Sequence, residues 1–183
     1  MGRTNEVNLK KIVLVLTIAA ISFLGYNALA AQTPDWVVQD KKITPGALNK
    51  TVTQDNIKTT VCKSGWTATI RPTVSYTNKL KDTQLKTTYK AYTLIWGEKA
   101  SAYEEDHLIS LQLGGDPSDP KNLWPEPYAG NNARKKDVAE TALKRLVCDG
   151  TLKLKDAQQA ILDWPSAYKK YVKPSDKPDT SDE

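Results

Sequence analysis

The spacing of apolar residues changes character several times along this chain, and each change marks an element. Residues 12–26, IVLVLTIAAISFLGY, run for fifteen positions without a charge. The weakly basic MGRTNEVNLKK precedes them, and the small-x-small triplet Ala28-Leu29-Ala30 follows. A basic lead, an apolar run too short for an ordinary membrane span and a small-residue site form the three parts of a secretory signal peptide. The reading is a leader over residues 1–30, cleaved near Ala30, with an uncleaved signal anchor as the alternative. What remains, residues 31–183, is the size of one ordinary domain with a real core.

Past the leader, AQTPDWVVQDKKITPGALNK (31–50) follows neither a helical nor a strand period, and Pro34 and Pro45-Gly46 punctuate it. It is read as an irregular lead-in. TQDNIKTTVC predicts a short helix with Thr53 as N-cap and Ile57 and Val61 on one face. TATIRPTVSYT, β-branched and interrupted by Pro72, predicts extended chain. NKLKDTQLKTTYKAYTLIW fits both periods. It is read as a short helix and then a strand through Tyr92, Leu94 and Trp96.

The middle of the chain is clearer. EEDHLISL predicts a strand, GGDPSDPK a turn-rich loop and NLWP a second strand. NNARKKDVAETALKRLVC predicts a long helix, because Val138, Ala139, Ala142, Leu143, Leu146 and Val147 form a stripe at helical spacing. Asp149-Gly150 stops that helix, and KDAQQAILDW predicts another short one. KPSDKPDTSDE (173–183) has no apolar residue and is read as a disordered tail. The expected fold is a small single α+β domain over residues 51–172. Strand, loop, strand and helix form its centre, about 103–148.

Charge adds a partner class without requiring it. The formal net charge is +5, and removing Arg3, Lys10, Lys11 and Glu6 with the leader keeps it positive. Between Lys58 and Lys99 the bases Lys63, Arg71, Lys79, Lys81, Lys86 and Lys90 face only Asp82 and Glu98. A second cluster, Arg134-Lys135-Lys136, opens the long helix. Such concentrations suit a phosphate-bearing partner, although a solvated lysine face has the same composition. The two cysteines, Cys62 and Cys148, would meet an oxidising compartment after export. A bridge closing so long a loop stabilises by roughly 4 to 5 kcal/mol in the chain-entropy picture. Neither cysteine has a CxxC partner or a histidine near it, which argues against zinc.

His107 is the only histidine of the chain. A lone histidine is ordinarily a solvated or hydrogen-bonded structural residue. Three features point to chemistry instead. Asp106 precedes it, so a carboxylate and a base leave one strand end together. Gly114-Gly115 lets the chain double back and brings Asn122 to the adjacent strand. The following helix then opens with Asn131 and Asn132 beside the basic cluster, where a helix N-terminus favours phosphate.

DHLISLQLGG, then NLWP, then NNARKKD resembles the motif of the HNH endonucleases, the ββα-metal finger. The longer stretch from Glu104 to Trp164, with NLWPEP, NNARKKDVAE, VCDG and AQQAILDW, is similar to a group of exported bacterial HNH-type proteins. TVTQDNIKTTVCKSGW resembles their N-terminal part, so the likeness spans most of the chain beyond the leader. It implies a nuclease that hydrolyses phosphodiesters of DNA, or of RNA, with little sequence preference. His107 would be the general base, a role its near-neutral pKa suits. Asp106 would hold one divalent cation, Mg²⁺ or alternatively Mn²⁺, which would neutralise charge at the scissile phosphate. Asn122 would orient His107 or brace the loop.

A helix-start amide would be the second metal ligand. Counting from Asn122 points to Asn131, whereas the NAxxKD pattern points to Asn132. The family's last histidine is missing, and a neutral amide suits loosely held Mg²⁺ better than Zn²⁺. The family's zinc-knuckle cysteines are missing too, and a Cys62–Cys148 bridge would serve as the staple in their place. Lys136 and Arg134 are candidate phosphate contacts. Glu104 and Glu140 are candidates to support the ligands, Glu140 by pairing with Lys136 or Lys144. Trp124 and Trp164 read as core, and Glu126 has no role visible in the sequence. The competing readings are a non-catalytic exported binding domain for nucleic acid or an envelope polymer, and a secreted toxin-like nuclease with an immunity or inhibitor protein. Stable membrane insertion is not expected once the leader is cleaved.

Overall fold

The computed structural model describes residues 36–178. The expected signal peptide, the start of the lead-in and the last residues of the tail lie outside the described residues. At the centre, strand β1 (Tyr103–His107) pairs antiparallel with β2 (Leu123–Pro127), in the register Glu104↔Glu126, Asp106↔Trp124 and His107↔Leu123. All of β2 is buried, because helix α1 (Val74–Lys86) packs on the hairpin from one side and helix α3 (Asn132–Cys148) from the other. A two-stranded sheet leaves backbone groups unpaired at its edges. Here α1 supplies partners: Lys81 donates to the Tyr103 carbonyl and Gln84 to that of Leu123, each at 2.9 Å.

The α+β expectation therefore stands, and so do both central strands and the long helix. Within α3, Ala139, Ala142, Leu143 and Val147 are buried, while Val138 and Leu146 are half-buried. Helix α4 (Leu154–Ile161) buries Leu154, Ala157 and Ile161 at helical spacing. Helix α5 (Trp164–Tyr171), not foreseen, starts on Trp164 with Pro165 in its first turn, where the missing N–H costs nothing. TQDNIKTTVC forms a 3₁₀ turn, Gln54–Thr59, with Thr53 at its N-cap and the Thr53 N–H donating to Asn56 Oδ1 at 2.9 Å.

Two segments correct the sequence reading. TATIRPTVSYT is not extended: Thr67–Thr69 form a 3₁₀ turn, and α1 begins at Val74 with the Thr73 hydroxyl accepting from the Tyr76 N–H at 3.3 Å. Pro72 marks the break between turns and Thr73 the cap of a new helix, a start signal the β-branched residues obscured. The strand expected through Tyr92, Leu94 and Trp96 is helix α2 (Lys90–Trp96). Tyr89, Tyr92 and Trp96 gather against Trp124 and Leu108, a helical rather than alternating set, and Leu94 points out at 83% exposure.

The larger core cluster runs along α3, α4 and α5 and takes in Val61, Ile109, Leu113 and Trp164; the smaller joins Val37, Tyr89, Leu108 and Trp124. The lead-in is irregular, as expected, yet it belongs to this core well before residue 51. Trp36 packs edge-on against Trp164 with centroids 5.1 Å apart, and the Val37 carbonyl accepts from the Trp164 indole at 3.1 Å. At the other end, the disordered tail expected from residue 173 does not begin there. Asp176 accepts from Arg145 at 3.3 and 3.2 Å and from the Lys173 N–H at 2.7 Å, which folds this stretch back on α3.

Cys62 and Cys148 form the expected disulfide, joining positions 86 residues apart at the C-terminus of α3. A Cys62→Ala/Cys148→Ala variant should lose about 2–5 kcal/mol of stability. Urea unfolding of variant and oxidised wild type under identical buffer would measure the difference.

Candidate active site

Four consecutive polar residues, Glu104 to His107, form most of β1. Pleating sends alternate side chains to opposite faces. Glu105 and His107 face the α1 side, near Lys81 and Arg71, while Glu104 and Asp106 face Lys136 of α3. All four line a cavity of about 430 Å³, together with Thr67, Arg71, Thr77, Asn78 and Lys81 from the α1 side and Tyr128, Arg134, Asp137 and Glu140 from the α3 side.

His107 is 6% exposed, and its Nε2 lies 2.9 Å from the Pro117 carbonyl. A carbonyl can only accept, so Nε2 carries the proton and the lone pair of the neutral ring is on Nδ1. Burial holds the imidazole below its ordinary pKa; Arg71 and Lys136 push the same way, against the Pro117 bond and Asp106. A buried, tautomer-fixed, neutral imidazole has the form a general base requires.

The β1–β2 loop is shaped for this contact. Asn122, fully buried, donates to the carbonyls of Ile109 (3.0 Å) and Asp116 (2.9 Å), while its Oδ1 accepts from the Ile109 N–H at 3.0 Å. Of the two roles open to it, Asn122 takes that of brace. Gly115 allows the close approach: a Cβ there would lie 1.7 Å from the Ile109 carbonyl oxygen.

The largest departure from expectation is Lys136. Foreseen as a surface phosphate contact, it is 1% exposed and lies behind the cavity wall. Its ammonium is 2.5 Å from Asp106 Oδ2, donates to the His107 carbonyl at 2.9 Å and pairs with Glu140. Burial alone would drive its pKa down, but Asp106, Glu140 and Glu126 outweigh that and keep it charged. Glu140 pairs with Lys136 as one of its expected partners. Arg134 lines the cavity, half-exposed, 3.2 Å from Asp137.

Around Lys136 the carboxyls outnumber it. Burial first, and then Asp106 and Asp137, push Glu104 up to about 7. Burial and Asp106 push Glu105 to about 8 in spite of Lys81. Burial raises Glu140 to about 8 against the pull of Lys136. Glu126, fully buried opposite Glu104, is raised well above the carboxylate range by burial and then by Asp106. Sequence reasoning assigned Glu126 nothing; its strand parity relative to Glu104 was the available clue. It also missed Arg71 and Thr77, whose segment read as extended chain, and Asn78, at the start of the segment read as a short helix.

The expected metal ligands can be tested by their donor atoms. Mg²⁺ needs oxygens with lone pairs open at about 2.0–2.1 Å. Asp106 Oδ2 carries the ammonium of Lys136. Asn132 is fully buried, its Oδ1 accepting from the Val37 N–H at 3.2 Å and its Nδ2 donating to the Ala129 carbonyl at 2.7 Å. The side chain of Asn131 lies outside the described residues. Among the described residues no three His, Cys, Asp or Glu converge as a metal group. The pair Asp106–Asn132 therefore does not fit a divalent ion in this arrangement.

No family model, no curated protein and no solved structure matches this chain, so the functional argument rests on its own residues.

The raised carboxyls set a sign for stability against pH. The folded state keeps protons on Glu104, Glu105 and Glu140 up to about 7, 8 and 8, whereas an unfolded glutamate loses its proton near 4.5. Stability is thus fullest below the unfolded value and is lost as pH rises through the folded ones. The melting temperature should fall between pH 4.5 and about 8, and Glu105→Gln should flatten part of that slope. Thermal unfolding of both proteins across this range is the check; a rising profile would contradict the assignment.

Proposed function

We propose that this chain is an exported phosphodiester hydrolase, a nuclease acting on DNA or RNA, with His107 as its general base. The observation that carries the reading is the imidazole itself. Pro117 holds Nε2, burial keeps the ring neutral, and the ring lines a cavity that also holds Arg71, Lys81 and Arg134. A water attacking phosphorus would give its proton to Nδ1. The bond from phosphorus to one ester oxygen would break, and that oxygen would take a proton from solvent. Arg71 and Arg134 would stabilise the charge that develops on the phosphoryl oxygens. No step is routed through a metal.

Other observations support the proposal. The order β1, loop, β2, α3 agrees with the ββα-metal finger that DHLISLQLGG, NLWP and NNARKKD resemble. The Cys62–Cys148 disulfide fits an oxidising compartment. Among the described residues no helix is long and apolar enough to cross a membrane. A second reading, a non-catalytic exported domain that binds nucleic acid, is favoured by the engagement of Asp106 and Asn132 with Lys136 and Val37.

Incubating the oxidised protein with supercoiled plasmid and with single-stranded RNA tests the proposal. His107→Ala should cut the rate by ~10² to 10⁴ in a protein that still unfolds cooperatively, its midpoint lowered by the loss of a buried ring. Cleavage at the wild-type rate by that variant would sink the mechanism. The acid limb of the rate profile should have its midpoint below the ordinary 6.5 of histidine. Arg71→Ala should weaken nucleic-acid binding and lower the slope of log affinity against log salt by about one, as the loss of one phosphate contact requires. Filter binding across a salt series reads that slope.

A further inference from the structure

We infer that the Lys136 ammonium is the resident cation of this site and excludes a divalent ion from Asp106. The inference rests on the nuclease reading only for its choice of site, because Asp106 is where the resemblance would put a divalent cation. It is tested by ion binding, so the two can fail separately.

A lysine ammonium has three N–H donors. Lys136 donates to the His107 carbonyl at 2.9 Å and to Glu140 Oε1, and its charge is paired with Asp106 Oδ2 at 2.5 Å. Three oxygens thus surround the ammonium, and at 1% exposure it has no water to retreat into. A divalent ion on Asp106 Oδ2 would have to share one buried oxygen with a positive charge. In so dry a setting that repulsion is barely screened.

The three acceptors have a second property. Two carboxyl groups and a main-chain carbonyl are hard oxygen ligands of the kind Mg²⁺ and Mn²⁺ prefer, with waters completing the shell. Removing the ammonium would leave the Asp106 carboxylate, the Glu140 carboxyl, which would give up its proton to a bound ion, and a carbonyl around its former position. The chain thus carries a cation cradle already filled by its own α3. This explains why Asn132 is released to bind the Val37 N–H instead of an ion. In this account Lys136 is a positioning residue: it touches Asp106, Glu140 and the backbone of His107, and it does not line the cavity.

The experiment titrates Mn²⁺ into wild type, Asp106→Asn and Lys136→Met, reading bound ion by electron paramagnetic resonance and melting temperature with and without Mn²⁺. Wild type should show no Mn²⁺ binding that Asp106→Asn removes, and its melting temperature should be the same in Mn²⁺ and in EDTA. Lys136→Met keeps the stem and removes the charge. It should bind Mn²⁺ at least about tenfold more tightly than wild type, since affinity follows the net charge of the ligand set. Wild-type binding that Asp106→Asn abolishes would overturn the inference. So would a folded Lys136→Met that binds no more Mn²⁺ than wild type. Should that variant not fold, the wild-type and Asp106→Asn titrations decide between the same two outcomes.

Discussion

The ammonium of Lys136 joins α3 to the end of β1, and the geometry of the site follows from that junction. A charge stripped of water is tolerated only when paired and hydrogen-bonded, and breaking a buried pair costs about 3–5 kcal/mol because it strands the remaining partner. Asp106 and His107 are consecutive. One group holding the side chain of the first and the carbonyl of the second therefore fixes both the exit of β1 and the place from which the imidazole projects. Glu140, one helical turn along α3, closes the set.

That junction holds because α3 is itself held in place from several sides. Its apolar stripe packs on α4 and α5, the disulfide ties its last residue to Cys62, and Arg145 gathers the stretch after α5. At its first residue, Asn132 is bonded to the lead-in through Val37, whose carbonyl also takes the Trp164 indole proton. On the other side of the hairpin, α1 reaches the carbonyls of both strands. The loop between the strands is made rigid by Asn122 and by the close backbone contact at Gly115, which presents the Pro117 carbonyl to His107. Each support is distant in sequence from the imidazole it positions.

This distribution accounts for what was legible beforehand. The hairpin, α3 and the cysteine pairing could be read because each has a local sign: turn residues between β-prone runs, a helical stripe, or two cysteines in a chain read as exported. α1 was legible only in its second part: NKLKDTQLK reads as a short helix, while VSYT before it reads as extended. Only Gln84 and Leu85 of α1 are buried, so it shows no stripe that would place its start. In α2 aromatic residues fit both periods, and only packing of Tyr89 and Tyr92 on Trp124 decides between them. Lys136 was misjudged for a related reason. Arg134-Lys135-Lys136 reads as a solvated run, and nothing local shows that its third member meets Asp106 across the fold. His107 and Asn122 were legible as residues of interest, but only tertiary structure distinguishes a loop brace from an orienting contact.

The charges of the cavity pose a final question for the proposed function, because a wall with this many carboxyls ought to repel a phosphodiester. Burial resolves the conflict. The same removal of water that lowers the His107 pKa raises Glu105 and Glu140 to about 8 and Glu104 to about 7, and pushes Glu126 in the same direction. Asp106 is balanced by Lys136 and Asp137 by Arg134. The count of acidic residues thus overstates the negative field, and Arg71 and Lys81 on the α1 side weigh more than their number suggests. Under the proposed reading, a polyanion would meet a cavity whose carboxyls are protonated or paired on the α3 side and whose α1 side carries Arg71 and Lys81, with His107 also in its lining. One desolvated cluster would then supply both the base and the tolerance for the substrate's charge, and a change that let water into it would degrade both together.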